Sequence, residues 1–96
     1  MTVYAIAQFR IHDRERYDRY QAKFRDVFVR HQGRALAADE APQVLEGDNP
    51  VHKVVLLEFP DEAAFRAWSD SPEYREISKD REAATDGSVT LIKGFN

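Results

Sequence analysis

Two polar side chains occupy positions that apolar packing alone does not explain. His31 ends the apolar stripe of a predicted first helix, and Arg81 lies between Ile77 and Ala84 on the stripe of a predicted last helix. A neutral imidazole can act as a general base near neutral pH. A buried guanidinium needs a carboxylate partner or an anionic ligand. Together they predict proton transfer by His31 on a substrate whose anionic group is held by Arg81.

Each of these residues also has a purely structural explanation. A histidine at a helix end can bond a free carbonyl and interact favourably with the helix dipole. Arg81 can instead pair with Glu58 or Glu46. Glu58 lies in an apolar strand, where burial would raise its pKa, but it is equally explained as a solvated residue at the sheet edge. Position along the chain favours the structural explanation for His31 and Arg81.

Aromatic side chains recur at helical spacing along the predicted helices. Stripes of this kind are typical of an ordinary core. They can also line an apolar pocket between helices and a sheet, and buried tyrosine hydroxyls would then need hydrogen-bond partners. On this second interpretation the chain binds a small, largely apolar molecule. The predicted contacts are Tyr20, Phe24, Glu58, Trp68 and Tyr74.

The predicted elements decide which of these residues can meet. Alternation of apolar residues predicts a first strand over Val3–Ile11. Asp13 is the expected N-cap of the first helix, and Gly33 is placed to end that helix in a left-handed conformation. The remaining strands are predicted over residues 34–38, 52–59 and 89–95, with an extension of the sheet at 43–46.

The second helix is predicted to be interrupted. Asp61 is its expected cap. A new helix begins at Pro72 and leads to a turn at Asp86-Gly87; Ser71 can cap it, and residues 70–73 also have the outline of a capping box. The order is therefore strand, helix, strand, strand, broken helix, strand. This order favours an α+β ferredoxin-like sandwich, in which both helices cover one face of a four-stranded antiparallel sheet. We expect one domain over residues 1–96.

The sheet face away from the helices is also predicted to be apolar. In the third strand, Val54 and Leu56 point opposite to Val55 and Leu57. Half-exposed antiparallel strands normally alternate cleanly between apolar and polar residues, and a contiguous exposed apolar patch marks an association surface. We therefore predict a homodimer in which two sheets pack face to face. The alternative is that residues 39–51 fold over the sheet of their own chain.

Composition excludes several classes of function. The 96 residues carry a formal net charge of −3, which argues against a nucleic-acid or anionic-membrane partner because both require concentrated positive charge. The sequence contains no cysteine, which excludes thiolate chemistry and cysteine metal sites. No signal peptide or membrane-spanning run is recognised, so a cytoplasmic protein is expected. The three histidines are widely spaced, and neither a metal site nor another cofactor is predicted.

Five short motifs then occur in order along the chain, at residues 31–34, 44–47, 58–60, 67–68 and 71–74. Their combination resembles the family of domains of unknown function numbered 1330, over nearly the whole chain. The resemblance implies a member of the dimeric α/β-barrel group of ferredoxin-like proteins, and hence the same sheet-to-sheet dimer. That wider group includes cofactor-free monooxygenases, lactone isomerases, dehalogenase-like proteins and haem enzymes. The family itself has no established reaction; the resemblance points to His31 and Gly33, with Gln32 where a second glycine is common.

Two hypotheses about function follow. The first is a dimer that binds a small, largely apolar molecule and performs cofactor-free proton transfer or oxygenation, with His31 as base and Arg81 on an anionic group. The second is a dimeric binding or accessory module without catalysis. A catalytic site requires His31 to face a cavity with a second polar group within hydrogen-bond reach.

Overall fold

In residues 1–95, which a computed structural model describes, four strands form one antiparallel sheet and three helices pack on it. The sheet order is β2-β3-β1-β4. This arrangement confirms the predicted α+β ferredoxin-like fold, including the division of the second helix. The elements are β1 Val3–Ile11, α1 Arg14–Phe28, β2 Arg34–Asp39, β3 Lys53–Phe59, α2 Glu62–Ser69, α3 Pro72–Ala84 and β4 Thr85–Lys93.

Each helix begins at a side-chain cap. Asp13 accepts a hydrogen bond from the backbone N–H of Arg16, and Asp61 accepts one from that of Ala64. The Ser71 hydroxyl accepts from the backbone N–H of Tyr74, next to Pro72 in the first turn of α3. These bonds satisfy amides that have no partner inside the helix. The predicted caps Asp13 and Asp61 are therefore confirmed, and Ser71 is the cap of α3.

The Ser71 cap is expected to contribute more to stability than the Asp61 cap. Ser71 is buried, and its hydroxyl also donates to the backbone oxygen of Trp68 at 2.8 Å. Replacement of Ser71 with alanine removes both bonds from a buried site and should lower the free energy of unfolding by about 1–2 kcal/mol. Asp61→Ala removes a cap on an exposed residue and is the matched control. Urea unfolding measures both, and equal losses would contradict this expectation.

The predicted role of Gly33 is wrong. Helix α1 ends at Phe28, its C-cap Val29 is right-handed, and the positive-φ glycines of the described chain are Gly47 and Gly87. A Cβ atom added at Gly33 would lie 2.6 Å from a ring atom of Phe28 and 2.6 Å from one of Phe59. The glycine is therefore required by the close approach of two core rings to the backbone, not by a left-handed helix end.

Two other local predictions are also wrong. Strand β4 begins at Thr85 directly after α3, so the predicted turn at Asp86-Gly87 is part of the strand, where Gly87 faces Phe9 of β1. The predicted extension of the sheet at residues 43–46 is loop. The first error arises because glycine and aspartate are read as turn signals, whereas pairing with β1 decides their conformation here.

The core lies between the helices and one face of the sheet. Buried strand residues such as Ala5, Leu57 and Phe59 meet the aromatic stripes of the helices there. Rings pack edge-to-face or stacked at 5.0–6.2 Å for most pairs, including Phe28 on Phe59 at 5.9 Å. Aromatic pairs of this geometry add to the stability that burial alone provides. The core therefore holds the helices at fixed positions above the sheet.

The opposite face, here called the open face, carries apolar side chains without cover from a helix. In the strand register Ile6 lies between Leu56 of β3 and Thr90 of β4, and Tyr4 lies beside Ile92. In the loop that could have folded over this face, Leu45 is 87% exposed and Asn49 bonds Gln8 on the face. Ile92 of the face itself is 44% exposed. Within the described chain, the open face therefore stays accessible to another molecule.

Candidate ligand-binding site

A cavity of about 180 Å³ lies between the helices and the sheet. Its floor is formed by small and branched strand residues, among them Ala5, Ala7 and Val55. Because the floor residues are small, the rings above them do not fill the space. The structure brings together at this cavity most of the predicted site residues, namely Tyr20, Phe24, Trp68, Tyr74 and Arg81.

The hydroxyls of Tyr20 and Tyr74 form a buried pair in the cavity wall. Their oxygens are 2.9 Å apart, which satisfies the partner requirement predicted for buried tyrosines. Burial raises the pKa of Tyr20 well above its usual value, and the neighbouring Tyr74 raises it further, against a smaller opposing effect of Arg81. The Tyr20 hydroxyl therefore remains protonated at neutral pH, so it can donate a hydrogen bond.

Arg81 reaches the same wall from α3. Its side chain is 16% exposed, and its guanidinium lies 5.2 Å from the ring centroid of Phe9. The nearest carboxylate oxygen is on Glu82 at 3.9 Å, and the buried Nε has no hydrogen-bond partner among residues 1–95. The predicted pairing of Arg81 with Glu58 or Glu46 is therefore wrong, since Glu58 is bonded to Arg34 at 3.1 Å.

Lys53 is a cavity residue that the sequence analysis missed. It is 5% exposed, and its Nζ donates to Gln21 at 3.1 Å and lies 4.9 Å from the ring centroid of Tyr17. The carboxylate of Glu40 is 3.6 Å from the same nitrogen. The signal was present in the sequence: Lys53 is two residues before Val55 in a strand, so it points to the same face.

Glu40 is shared between Lys53 and the surface. Arg14 bonds both of its carboxylate oxygens at 3.0 Å. The hydrogen bond from Arg14 is the largest cause that lowers the pKa of Glu40, and the charge of Lys53 contributes less. Glu40 therefore stays ionised at neutral pH, but most of its bonding capacity is directed at Arg14.

Two predicted site residues lie away from the cavity. Glu58 pairs with Tyr4 on the open face, so the prediction that it lines the pocket is wrong: alternation along β3 places it opposite Leu57. His31 follows α1 in an irregular segment and is not part of the cavity wall. Its Nε2 is buried without a hydrogen-bond partner in the described part of the chain. The structure therefore does not place His31 beside Arg81 at this cavity, and its role as a base stays a prediction.

Metal-binding clusters and membrane-spanning helices are both absent from residues 1–95. No cluster of three or more histidine, aspartate or glutamate side chains in this range is arranged to hold a metal ion. None of the helices described here has the length and apolar character needed to cross a membrane.

Solved structures with the same fold cover almost the whole chain. A protein of unknown function from Rhodopseudomonas palustris is 24% identical, with a TM-score of 0.83 over 99% of this chain and 83% of that one. SnoaB, a cofactor-independent oxygenase from Streptomyces nogalater, is 16% identical, with a TM-score of 0.68 over 99% and 94%. A dimeric ferredoxin-like protein of unknown function from Thermobifida fusca is 15% identical, with a TM-score of 0.70 over 98% and 92%. At these identities the similarity shows a shared fold.

The sequence itself matches a defined family. No curated protein matches the chain. The family described as "Domain of unknown function (DUF1330)" matches residues 2–95, and this range contains all five motifs that carry the resemblance. The chain therefore belongs to the DUF1330 family of ferredoxin-like proteins.

Proposed function

We propose that this protein is a homodimeric binding protein that holds one small, largely apolar molecule in the cavity of each subunit. The observation that carries the proposal is the cavity itself, enclosed by Phe24, Trp68 and the Tyr20–Tyr74 pair. Pockets with apolar and aromatic walls and a few convergent polar groups are typical of small-molecule sites.

The size of the cavity limits the ligand. At about 180 Å³ it is smaller than the roughly 300–1,000 Å³ pockets that take drug-sized molecules. It is close to the roughly 150 Å³ engineered cavity that binds benzene. The proposed ligand is therefore a molecule built on a single ring.

Binding is favoured over proton transfer as the function of this cavity. Within residues 1–95, the lining side chains include tyrosines, Lys53 and Arg81, but no carboxylate or imidazole. A general base must be within hydrogen-bond reach of the proton that it removes, directly or through one water. His31 does not meet this requirement, because it is not part of the cavity wall. The similarity to SnoaB is a similarity of fold and carries no argument for its reaction. The proposal is therefore the non-catalytic module.

The proposed dimer forms through the open face. Tyr4, Ile6, Leu56 and Ile92 are neighbours there, and Ile92 is 44% exposed. Exposed apolar patches of this kind mark interaction sites, and a second copy of the same face offers a matching surface, since most small oligomers are two-fold symmetric. The Thermobifida fusca neighbour is described as dimeric, which supports a dimer for this chain. The cytoplasmic location expected from the sequence stays a prediction.

Fluorescence of Trp68 provides the test, because this residue is the single tryptophan of the chain and lines the cavity. Titration with the neutral ring compounds ethylbenzene and benzamide should change its emission saturably. Ala7→Phe places a ring in the cavity and should abolish that response without lowering the melting temperature. Ala22→Phe, on the exposed side of α1, is the control. A saturable response that persists in Ala7→Phe would place the binding site elsewhere.

A further inference from the structure

Two residues that line the cavity, Trp68 and Arg81, each carry a buried hydrogen-bond donor without a partner in the described part of the chain. Trp68 Nε1 and Arg81 Nε are both buried without a partner among residues 1–95, and both residues line the cavity. Indole and guanidinium groups donate hydrogen bonds and have no acceptor atom. An unpaired buried donor carries a full desolvation cost. The described part of the chain therefore supplies no acceptor for these two donors, and a ligand in the cavity could provide one.

The tyrosine pair adds a third donor. The hydroxyls of Tyr20 and Tyr74 carry two hydrogens, and their mutual bond of 2.9 Å uses one of them. The hydroxyl that accepts this bond keeps its own hydrogen, which can be donated to a ligand. The ring centroids of Tyr74 and Trp68 are 4.2 Å apart, so the tyrosine pair lies on the same side of the cavity as the indole ring.

Positive charge at the cavity is only partly neutralised. Lys53 shares Glu40 with Arg14, and Arg81 lies 3.9 Å from Glu82, whose side chain is 67% exposed. Among residues 1–95, no aspartate or glutamate lines the cavity. Charges beside a low-dielectric wall act more strongly than charges in water. The cavity therefore favours an anion over a neutral molecule of the same shape.

We infer that the ligand is a small aromatic acid, whose carboxylate accepts hydrogen bonds from Arg81, Trp68 and the tyrosine pair while its ring lies on the alanine floor. This inference rests on the proposed function. A carboxylate is an acceptor-only group, so it matches a wall of donors. A neutral amide of the same shape carries one acceptor oxygen instead of two and no charge, so it gains less from these donors and from the charges of Arg81 and Lys53. An ammonium group would bring a third positive charge to the site.

Three probes of matched size test the inference: benzoate, benzamide and benzylammonium, titrated by calorimetry at neutral pH. Benzoate should bind at least about tenfold more tightly than benzamide, because hydrogen bonds to a charged group are stronger. Benzylammonium should bind more weakly than either. Arg81→Gln should reduce benzoate affinity about tenfold more than benzamide affinity. Arg25→Gln removes the same charge from the exposed side of α1 and should change no affinity.

The outcomes separate the two proposals. Equal binding of benzoate and benzamide, or equal loss of both in Arg81→Gln, overturns the acid ligand and leaves a cavity for neutral rings. Failure of all three probes and of ethylbenzene overturns the proposed function and the inference with it. Trp68→Phe removes the indole donor and keeps an aromatic ring, so it decides the matter if Arg81→Gln does not fold. It should also reduce the preference for benzoate.

Discussion

Replacing Gly87 with alanine is expected to lower the free energy of unfolding by about 3 kcal/mol or more. A Cβ atom added there would overlap the backbone oxygen of Gln8 and lie 3.0 Å from the Cα of Phe9. The φ of Gly87 is +153°, a region that other residues rarely adopt. Since β1 and β4 are paired along their whole length, the backbone cannot yield at this point without loss of neighbouring ladder bonds.

The measurement is urea unfolding followed by circular dichroism, at one fixed protein concentration because a dimer's stability depends on it. Ser88→Ala is the matched control, since Ser88 is the next residue in the same strand and is exposed. That change should stay within about 0.5 kcal/mol. The account of this strand pair would be refuted if Gly87→Ala were as stable as Ser88→Ala.

A charge at the centre of the open face is expected to convert the dimer into a monomer. Leu56 lies between Ile6 and Ala37 in the strand register. In Leu56→Glu, dimerisation would bury a carboxylate with no partner, which costs several kcal/mol and should weaken association by about a hundredfold or more. Light scattering after size-exclusion chromatography at micromolar concentration should show the monomer mass for this variant and the dimer mass for the unmodified chain.

The control for this change is Ala22→Glu, which adds the same charge to the exposed side of α1. It should remain dimeric, and circular dichroism should show that both variants are folded. Two results would contradict the proposed interface: a monomeric unmodified chain, or a Leu56→Glu variant that still has the dimer mass.

The fold could be predicted because local signals and tertiary packing agree. Asp13, Asp61 and Ser71 cap helices where the sequence indicates, and alternation in β3 correctly separates Val54 from Val55. Gly33 could not be assigned in this way. A glycine is required at this position because two rings meet above its backbone. One belongs to Phe28 of the preceding helix and the other to Phe59, which is distant in sequence.

The candidate site could be predicted from the sequence only in part, because some of its residues depend on contacts between distant elements. The aromatic residues and Arg81 were found because helical periodicity places them on one face. Lys53 was missed because a lysine at a strand end is usually solvated, and its burial depends on Gln21 and Glu40. Glu58 was assigned to the face that lines the cavity. Its alternation with Val54 and Leu56 along β3 already places it on the open face.

The central claim is that the cavity beneath Trp68 binds the ligand, and the indole N–H reports on it directly. The chain has one tryptophan, so a ¹⁵N-labelled protein gives one indole Nε1–H signal in a two-dimensional NMR spectrum. Saturating benzoate should shift this signal strongly, because the carboxylate supplies the acceptor that Trp68 Nε1 lacks in the described chain. An unmoved indole signal, with shifts confined to open-face residues such as Ile6 and Leu56, would contradict the account.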